Sequence, residues 1–220
     1  YMAKLVWDES VNKKFETGIE QVALFVMGSG GTYETGVPWN GFTGMSENPS
    51  GAEANELYAN NKKYVELRSK EKFEATMTAY TFPAEFNACD GKAELVTGAQ
   101  IGQQDRKSFA LAYITLQGNE AEGTDYGKKL HLIYGAKAAP SAKDYQSEGE
   151  SPEAADFSWD ITTTPVDVEG KKPTAEIVID STIVAADKWT AIMDKVYGDA
   201  TTGTSTMPTP AEVKALLATA

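Results

Sequence analysis

A strict period of two in hydrophobicity constrains this chain more than any other feature. In KFEATMTAYTF (72–82), Phe73, Ala75, Met77 and Ala79 share one face, and Glu74, Thr76, Thr78 and Tyr80 share the other. Only a strand with one face buried uses that period. DFSWDITTT (156–164) repeats it, with Phe157, Trp159 and Ile161 opposed to Asp156, Ser158, Asp160 and Thr162. AEIVID (175–180) and KKLHLIY (128–134) follow the same rule, the latter aligning Leu130, Leu132 and Tyr134. SFALAYITL (108–116) sets Phe109, Leu111 and Tyr113 against small residues, and QVALFV (21–26) and KYVELR (63–68) read as shorter strands. Asp90-Gly91 and Glu169-Gly170 supply turn chemistry between runs. Threonine, at 22 residues, suits strands better than helix interiors. An antiparallel, mainly β sandwich or barrel is predicted, with Phe73, Phe157, Trp159 and Ile179 in its core.

The period changes near the C-terminus. In ADKWTAIMDKVYG (186–198), Trp189, Ile192, Met193, Val196 and Tyr197 recur at three and four, predicting a flanking helix that Gly198 ends in the left-handed conformation. TPAEVKALL (209–217) predicts a short second helix capped by Thr209, with Pro210 in the first turn and Glu212 completing a capping box. A helical turn is expected over 83–88. Residues 199–207 read as a flexible connector, so the chain divides into a β-domain over 1–198 and a connector with its C-terminal helix over 199–220. Two stretches read as loops: the glycine-rich 28–36, and the long polar 48–61 (NPSGAEANELYANN), whose length marks it as functional.

Composition removes whole classes of chemistry. With 32 acidic and 20 basic residues, the net charge of −12 argues against a protein that grips phosphates. The longest apolar run, Val22 to Met27, has six residues against the ~20 of a membrane span, so neither a transmembrane nor a signal segment is expected. One cysteine (Cys89) and one histidine (His131) leave no internal disulfide and no multi-cysteine or multi-histidine metal site. Cys89 is expected to pack as a small apolar group. His131, opposite Leu130 and Leu132, is expected to be structural or solvent-facing. The GSGG stretch lacks the Gly-Lys-Ser/Thr of a phosphate loop, and no Gly-x-Ser-x-Gly elbow or calcium-loop spacing occurs. Acid pairs such as Glu53/Glu56 and Asp156/Asp160 arise by chance among 32 acids. A non-enzymatic protein without metal or cofactor is expected.

Several stretches, in order, resemble the major tail (tail tube) protein of long-tailed bacteriophages: KLVWDESVNKKFETGI (4–19), VPWNGFTGMSENPSGAEANELYANNKKY (37–64), EKFEATMTAYTFPAEFNACDG (71–91), the segment 97–141, SPEAADFSWDITTTPV (151–166) and PTPAEVKALL (208–217). The resemblance implies a tail-tube β-fold with a flanking helix. It implies rings, commonly hexameric, stacked into a virion tube through which DNA passes without specific binding. The partners it implies are other copies of the chain, a tape measure protein, a tail terminator and a distal tail protein, all assembled from host cytoplasm and none of them a membrane. Loop 48–61 is the expected ring-stacking element, through Asn48, Pro49, Glu53, Glu56, Leu57 and Tyr58. Glu47 and Glu66 are the candidate acids of the lumen. Two alternatives stay open: another virion β-protein (terminator, connector or decoration protein), or a glycan-binding adhesin using Trp39, Trp159 and Trp189.

Overall fold

The computed structural model describes residues 7, 9, 13–145, 147, 154–199, 201 and 203–218. Parts of the resemblance segments 4–19 and 151–166, and residues 200 and 202 of the connector, lie outside them. In chain order the strands are β1 (Lys14–Val26), β2 (Val37–Pro38), β3 (Phe42–Glu47), β4 (Ala54–Ala59), β5 (Lys62–Arg68), β6 (Glu74–Ala79), β7 (Ala93–Val96), β8 (Ala99–Ile101), β9 (Phe109–Asn119), β10 (Gly123–Ala138), β11 (Phe157–Thr163) and β12 (Glu176–Asp180). The helices are α1 (Ala186–Tyr197) and α2 (Pro210–Leu217), and a 3₁₀ turn spans Ala84–Ala88.

Every strand pairing among the described residues is antiparallel. The main sheet runs β2-β1-β9-β10-β11-β6-β3, with β12 also on β10, and β4-β5 and β7-β8 form separate hairpins. β10 pairs with β12 through Lys129–Ile133 and with β11 through Ala136–Ala138. The change of partner falls at Gly135, whose φ is +59° and whose missing Cβ would sit 2.2 Å from the Thr164 carbonyl oxygen. Only glycine fits there, and the bend folds the sheet into two layers.

The alternating strands meet where their patterns require. Ala75, Met77 and Ala79 of β6 and Trp159 and Ile161 of β11 are buried against Leu24, Leu111 and Ile133, with Trp39 and Phe86 filling the space between layers. The other face of β1, β9 and β10 carries Phe25, Ala110, Ala112, Ile114, Leu130, Leu132 and Tyr134, covered by Ile192 and Val196 of α1 and Val213 of α2. The small-residue face of β9 is therefore buried as well: Ala110 and Ala112 leave room for the helix. Cys89 ends the 3₁₀ turn fully buried, and burial pushes its thiol up to about 12, leaving it unreactive at neutral pH.

Three expectations are corrected. Segment 48–61 is not one loop, because residues 54–59 are strand β4. The strand expected at 21–26 begins at Lys14; its exposed first half hides behind positive φ at Gly18 and Gln21 and two register shifts against β9. Gly198 ends α1 with φ +85° but ψ 140°, so it is not left-handed helical. The connector is also held at its far end, where the Ser205 hydroxyl donates to the Val196 carbonyl and Met207 is buried.

The capping box of α2 forms: the Glu212 N–H donates to Thr209 Oγ1 (3.3 Å), and the Thr209 N–H donates to Glu212 Oε2 (2.8 Å). That backbone donor, opposed by partial burial and reinforced by Lys195 at 3.1 Å, holds the Glu212 carboxyl below its ordinary value. Because the folded-state value is depressed, its stabilisation is present above the ordinary glutamate range and is lost as pH falls through the lower folded value. Thr209→Ala is expected to cost about 1 kcal/mol, measured by urea unfolding at neutral pH. Glu212→Gln should flatten the acid limb of the stability curve.

Candidate functional site

Two features stand apart from the core. The first is the β4–β5 hairpin. Asn60 and Asn61, both at positive φ, join Ala59 to Lys62 in a two-residue turn of the kind that matches strand twist. The neck is fixed by Glu53 and Ser69, which exchange backbone and side-chain hydrogen bonds, and by the Ser50–Lys72 bridge. Gly51 makes that neck possible, since its φ is +86° and a Cβ would sit 2.3 Å from the Lys70 carbonyl oxygen.

Pairing sorts the hairpin into two faces. Glu56 lies opposite Glu66 and Tyr58 opposite Lys63, while Leu57 lies opposite Val65 and Asn55 opposite Leu67. On the polar face, Lys63 Nζ reaches Glu56 and Glu66 at 2.6 Å each, Arg68 Nε reaches Glu66 at 2.8 Å, and the Tyr58 hydroxyl donates to Glu56 at 2.7 Å. Lys63, then Tyr58, hold the Glu56 carboxyl below its ordinary value, and Lys63, then Arg68, do the same for Glu66. The other face carries Leu57, Val65 and Leu67 at 41%, 38% and 53% exposure, with nothing among the described residues over them. An isolated two-stranded hairpin is marginal in water, so this one has an apolar face that gains from a partner. The β7–β8 hairpin is a smaller relative, with Leu95 and Val96 exposed.

The second feature is a polar cluster on the inter-layer face of the main sheet, just past the edge of the core. The His131 ring stacks on Tyr113 (4.6 Å between centroids, 6° between planes) and is 8% exposed. Its Nδ1 lies 3.3 Å from Glu176 Oε1, and its Nε2 lies 3.1 Å from Thr115 Oγ1 and 3.7 Å from Glu16 Oε1. The Thr115 hydroxyl donates to Glu16 (2.6 Å), which Lys129 also contacts (2.5 Å). The Tyr113 hydroxyl donates to Glu47 Oε1 at 2.8 Å. Burial foremost, then the Glu47 charge, drives the Tyr113 phenol far above its ordinary value, so it stays a donor. One ligand atom each from Glu47, His131 and Glu176 lies within 4.8 Å of the others.

The residues singled out in sequence scatter between these features. Glu56, Leu57 and Tyr58 lie on β4; Asn48, Pro49 and Glu53 lie in the approach to it. Glu47 joins the polar cluster and Glu66 the hairpin, so the two candidate lumen acids are not neighbours, and the charge of Glu66 is locally offset by Lys63 and Arg68. Trp39 and Trp159 are core residues and present no face to a sugar. Sequence reading missed the hairpin, although Asn60-Asn61 between two strand-length runs signals it. Glu16, Thr115 and Glu176 carried no signal at all. Among the described residues, no helix is long and apolar enough to cross a membrane.

No family model and no curated protein matches the chain. Among solved structures it is similar to a chain of an extracellular contractile injection system, the PVC sheath–tube complex in its extended state. The identity is 13%, covering 72% of this chain and 88% of that one, with a TM-score of 0.37. It is also similar to a chain of the PVC sheath/tube terminator in the extended state, at 13% identity, 72% and 93% coverage and a TM-score of 0.34.

Proposed function

We propose that this chain is a structural subunit of a virion tail tube, which closes into rings by strand pairing and stacks those rings into a hollow conduit. The observation that carries the reading is the pair of open edges on the run β12-β10-β9-β1. β10 occupies one side of β12, and nothing among the described residues pairs with the other. β9 occupies one side of β1, and on its other side β2 pairs with Ala23 and Leu24, so that among the described residues no strand pairs with Lys14–Glu20 there. Open edges invite pairing with another copy.

Direction makes the match. Each neighbour in the run is antiparallel, so β12 and β1 point opposite ways. Setting the β12 of one copy beside the β1 of the next continues an antiparallel sheet without a break, whatever the number of copies. If the rotation closes, every edge disappears into one barrel. Six copies contributing this run of strands would give a barrel of about 24 strands, and because both faces of the run are partly covered, its bore is narrower than the strands alone would leave.

A second contact, along the axis, does not close and so builds a filament. The apolar face of the β4–β5 hairpin is the candidate for it, which retains Leu57 from the residues expected to stack rings and adds Val65 and Leu67. The acidic balance suits a conduit: acids at a wall repel phosphates and leave no counterion release to hold DNA there. Of the two candidate bore acids, Glu66 is more useful in organising the hairpin, where Lys63 and Arg68 offset its charge. A tape measure protein inside, a terminator above and a distal tail protein below are the partners this role requires.

Electron microscopy of the concentrated purified chain tests the reading. Closed rings, or hollow tubes with a regular axial repeat, are expected. A chain that stays monomeric at about 1 mM, well above typical assembly affinities, would overturn it.

A further inference from the structure

We propose that Glu47, His131 and Glu176 form a binding site for a divalent transition-metal ion of the zinc type. The argument starts from the protons available. A neutral imidazole carries one N–H, and both ring nitrogens of His131 face oxygens. The Thr115 hydroxyl has its own proton committed to Glu16, so it offers Nε2 an acceptor, and the ring proton belongs on Nε2. The Nδ1 lone pair then points at the Glu176 carboxylate, 3.3 Å away, from a side chain that is nine-tenths buried. Two electron-rich groups then face each other, and either a second ring proton or a metal ion has to join them.

Lys129, which shares Glu16 with His131, is engaged by that carboxylate. Neither Glu47 nor Glu176 has a lysine or arginine partner among the described residues. A metal ion meets the demand with chemistry these side chains supply: one imidazole nitrogen and two carboxylate oxygens, with room for water in the remaining positions. Ligand atoms around such an ion lie ~3.4 Å apart for bonds of ~2.1 Å. The observed limit of 4.8 Å closes by a rotamer adjustment of Glu47, which is exposed. The surroundings are those of a metal centre. Thr115 takes the Nε2 proton and fixes the tautomer, Tyr113 stacks on the ring, and its hydroxyl orients Glu47. The ion would tie β3 of one layer to β10 and β12 of the other.

The test uses the full chain without a histidine tag, treated with chelator and titrated with Zn²⁺ at pH 7.5. Calorimetry should report one ion per chain with a Kd tighter than about 10 μM. Since His131 is the chain's single histidine, its imidazole NMR signals are assigned by composition. They should shift in step with equimolar Zn²⁺. Glu47→Gln and Glu176→Gln should each weaken binding about 10- to 100-fold, and His131→Ala should abolish it, while Glu56→Gln on the hairpin leaves it unchanged. If His131→Ala does not fold, Glu47→Gln carries the test, because its side chain is exposed. The proposal is overturned if the imidazole signals ignore equimolar Zn²⁺, if Zn²⁺ binds only near 1 mM, or if His131→Ala binds as well as the parent. An imidazolium that persists at pH 7.5 and is not displaced by the metal would also overturn it, showing that a proton fills the place.

Discussion

Replacing Trp159 by alanine should lower the free energy of unfolding by about 4 kcal/mol. The indole is fully buried between the layers, with ring centroids 5.1 Å from Phe86, 5.5 Å from Phe82, 5.9 Å from Trp39 and 6.0 Å from Phe157. Four aromatic neighbours cannot all collapse into the vacated space, so most of the cavity cost remains. The indole also donates Nε1–H to Asp90 Oδ1 at 3.0 Å. Asp90 is a buried carboxylate that Lys143 contacts and Arg106 approaches at 3.5 Å. Losing the donor leaves that carboxylate short of a partner. In a chain of this length each kcal/mol moves the thermal midpoint by about 2–4 °C, so a drop of roughly 8–16 °C is expected by calorimetry. Trp159→Phe separates the two contributions: it keeps most of the volume but removes the N–H, and about 2 kcal/mol should be lost. A cost below about 1.5 kcal/mol for the alanine variant would mean that the aromatic cluster does not close the sandwich.

Trp159 is also among the residues most legible in the sequence, for a physical reason. β11 and β6 bury one face and expose the other, so hydrophobicity alternates and the buried set can be read directly. The faces of β9 and β10 are legible too, since Phe109, Leu111 and Tyr113 point to one core and Leu130, Leu132 and Tyr134 to the other. The pattern fails where neither face is buried. β4 and the first five residues of β1 are exposed throughout, so polarity carries no period there. β3 has a glycine and a register shift against β6, which break what alternation it has. The polar cluster is illegible for a different reason. The side of the strand that His131 takes can be read, but Glu176 lies 45 positions along the chain, and only the β10–β12 register brings it there. One-dimensional patterns specify which side a residue faces and not what it meets.

Converting the apolar face of the hairpin to acid, with Leu57→Asp, Val65→Asp and Leu67→Asp together, should abolish tube growth while leaving single rings and the folded subunit intact. All three side chains are exposed in the lone subunit, so the thermal midpoint should move by no more than about 2 °C. In a stacked tube each would be covered, and burying a side chain of this kind contributes about 1.5–3 kcal/mol. On the proposed assembly a ring would multiply that contribution by its number of copies, so the concentration needed for tubes should rise at least ~100-fold, read by sedimentation and microscopy. Glu56→Gln with Lys63→Gln, on the polar face, should leave tubes unchanged, because exposed ion pairs contribute little. Excising 54–68 should give the same loss without damaging the body. The Ser69 N–H already donates to the Glu53 carbonyl at 3.2 Å, so the cut ends meet where the chain now pauses. Removing only residues within 48–61 would instead strand β5 without its partner and confuse misfolding with failed stacking. Normal tubes from either variant would mean that the axial contact lies elsewhere, with the exposed Leu95 and Val96 of the β7–β8 hairpin the next surface to test.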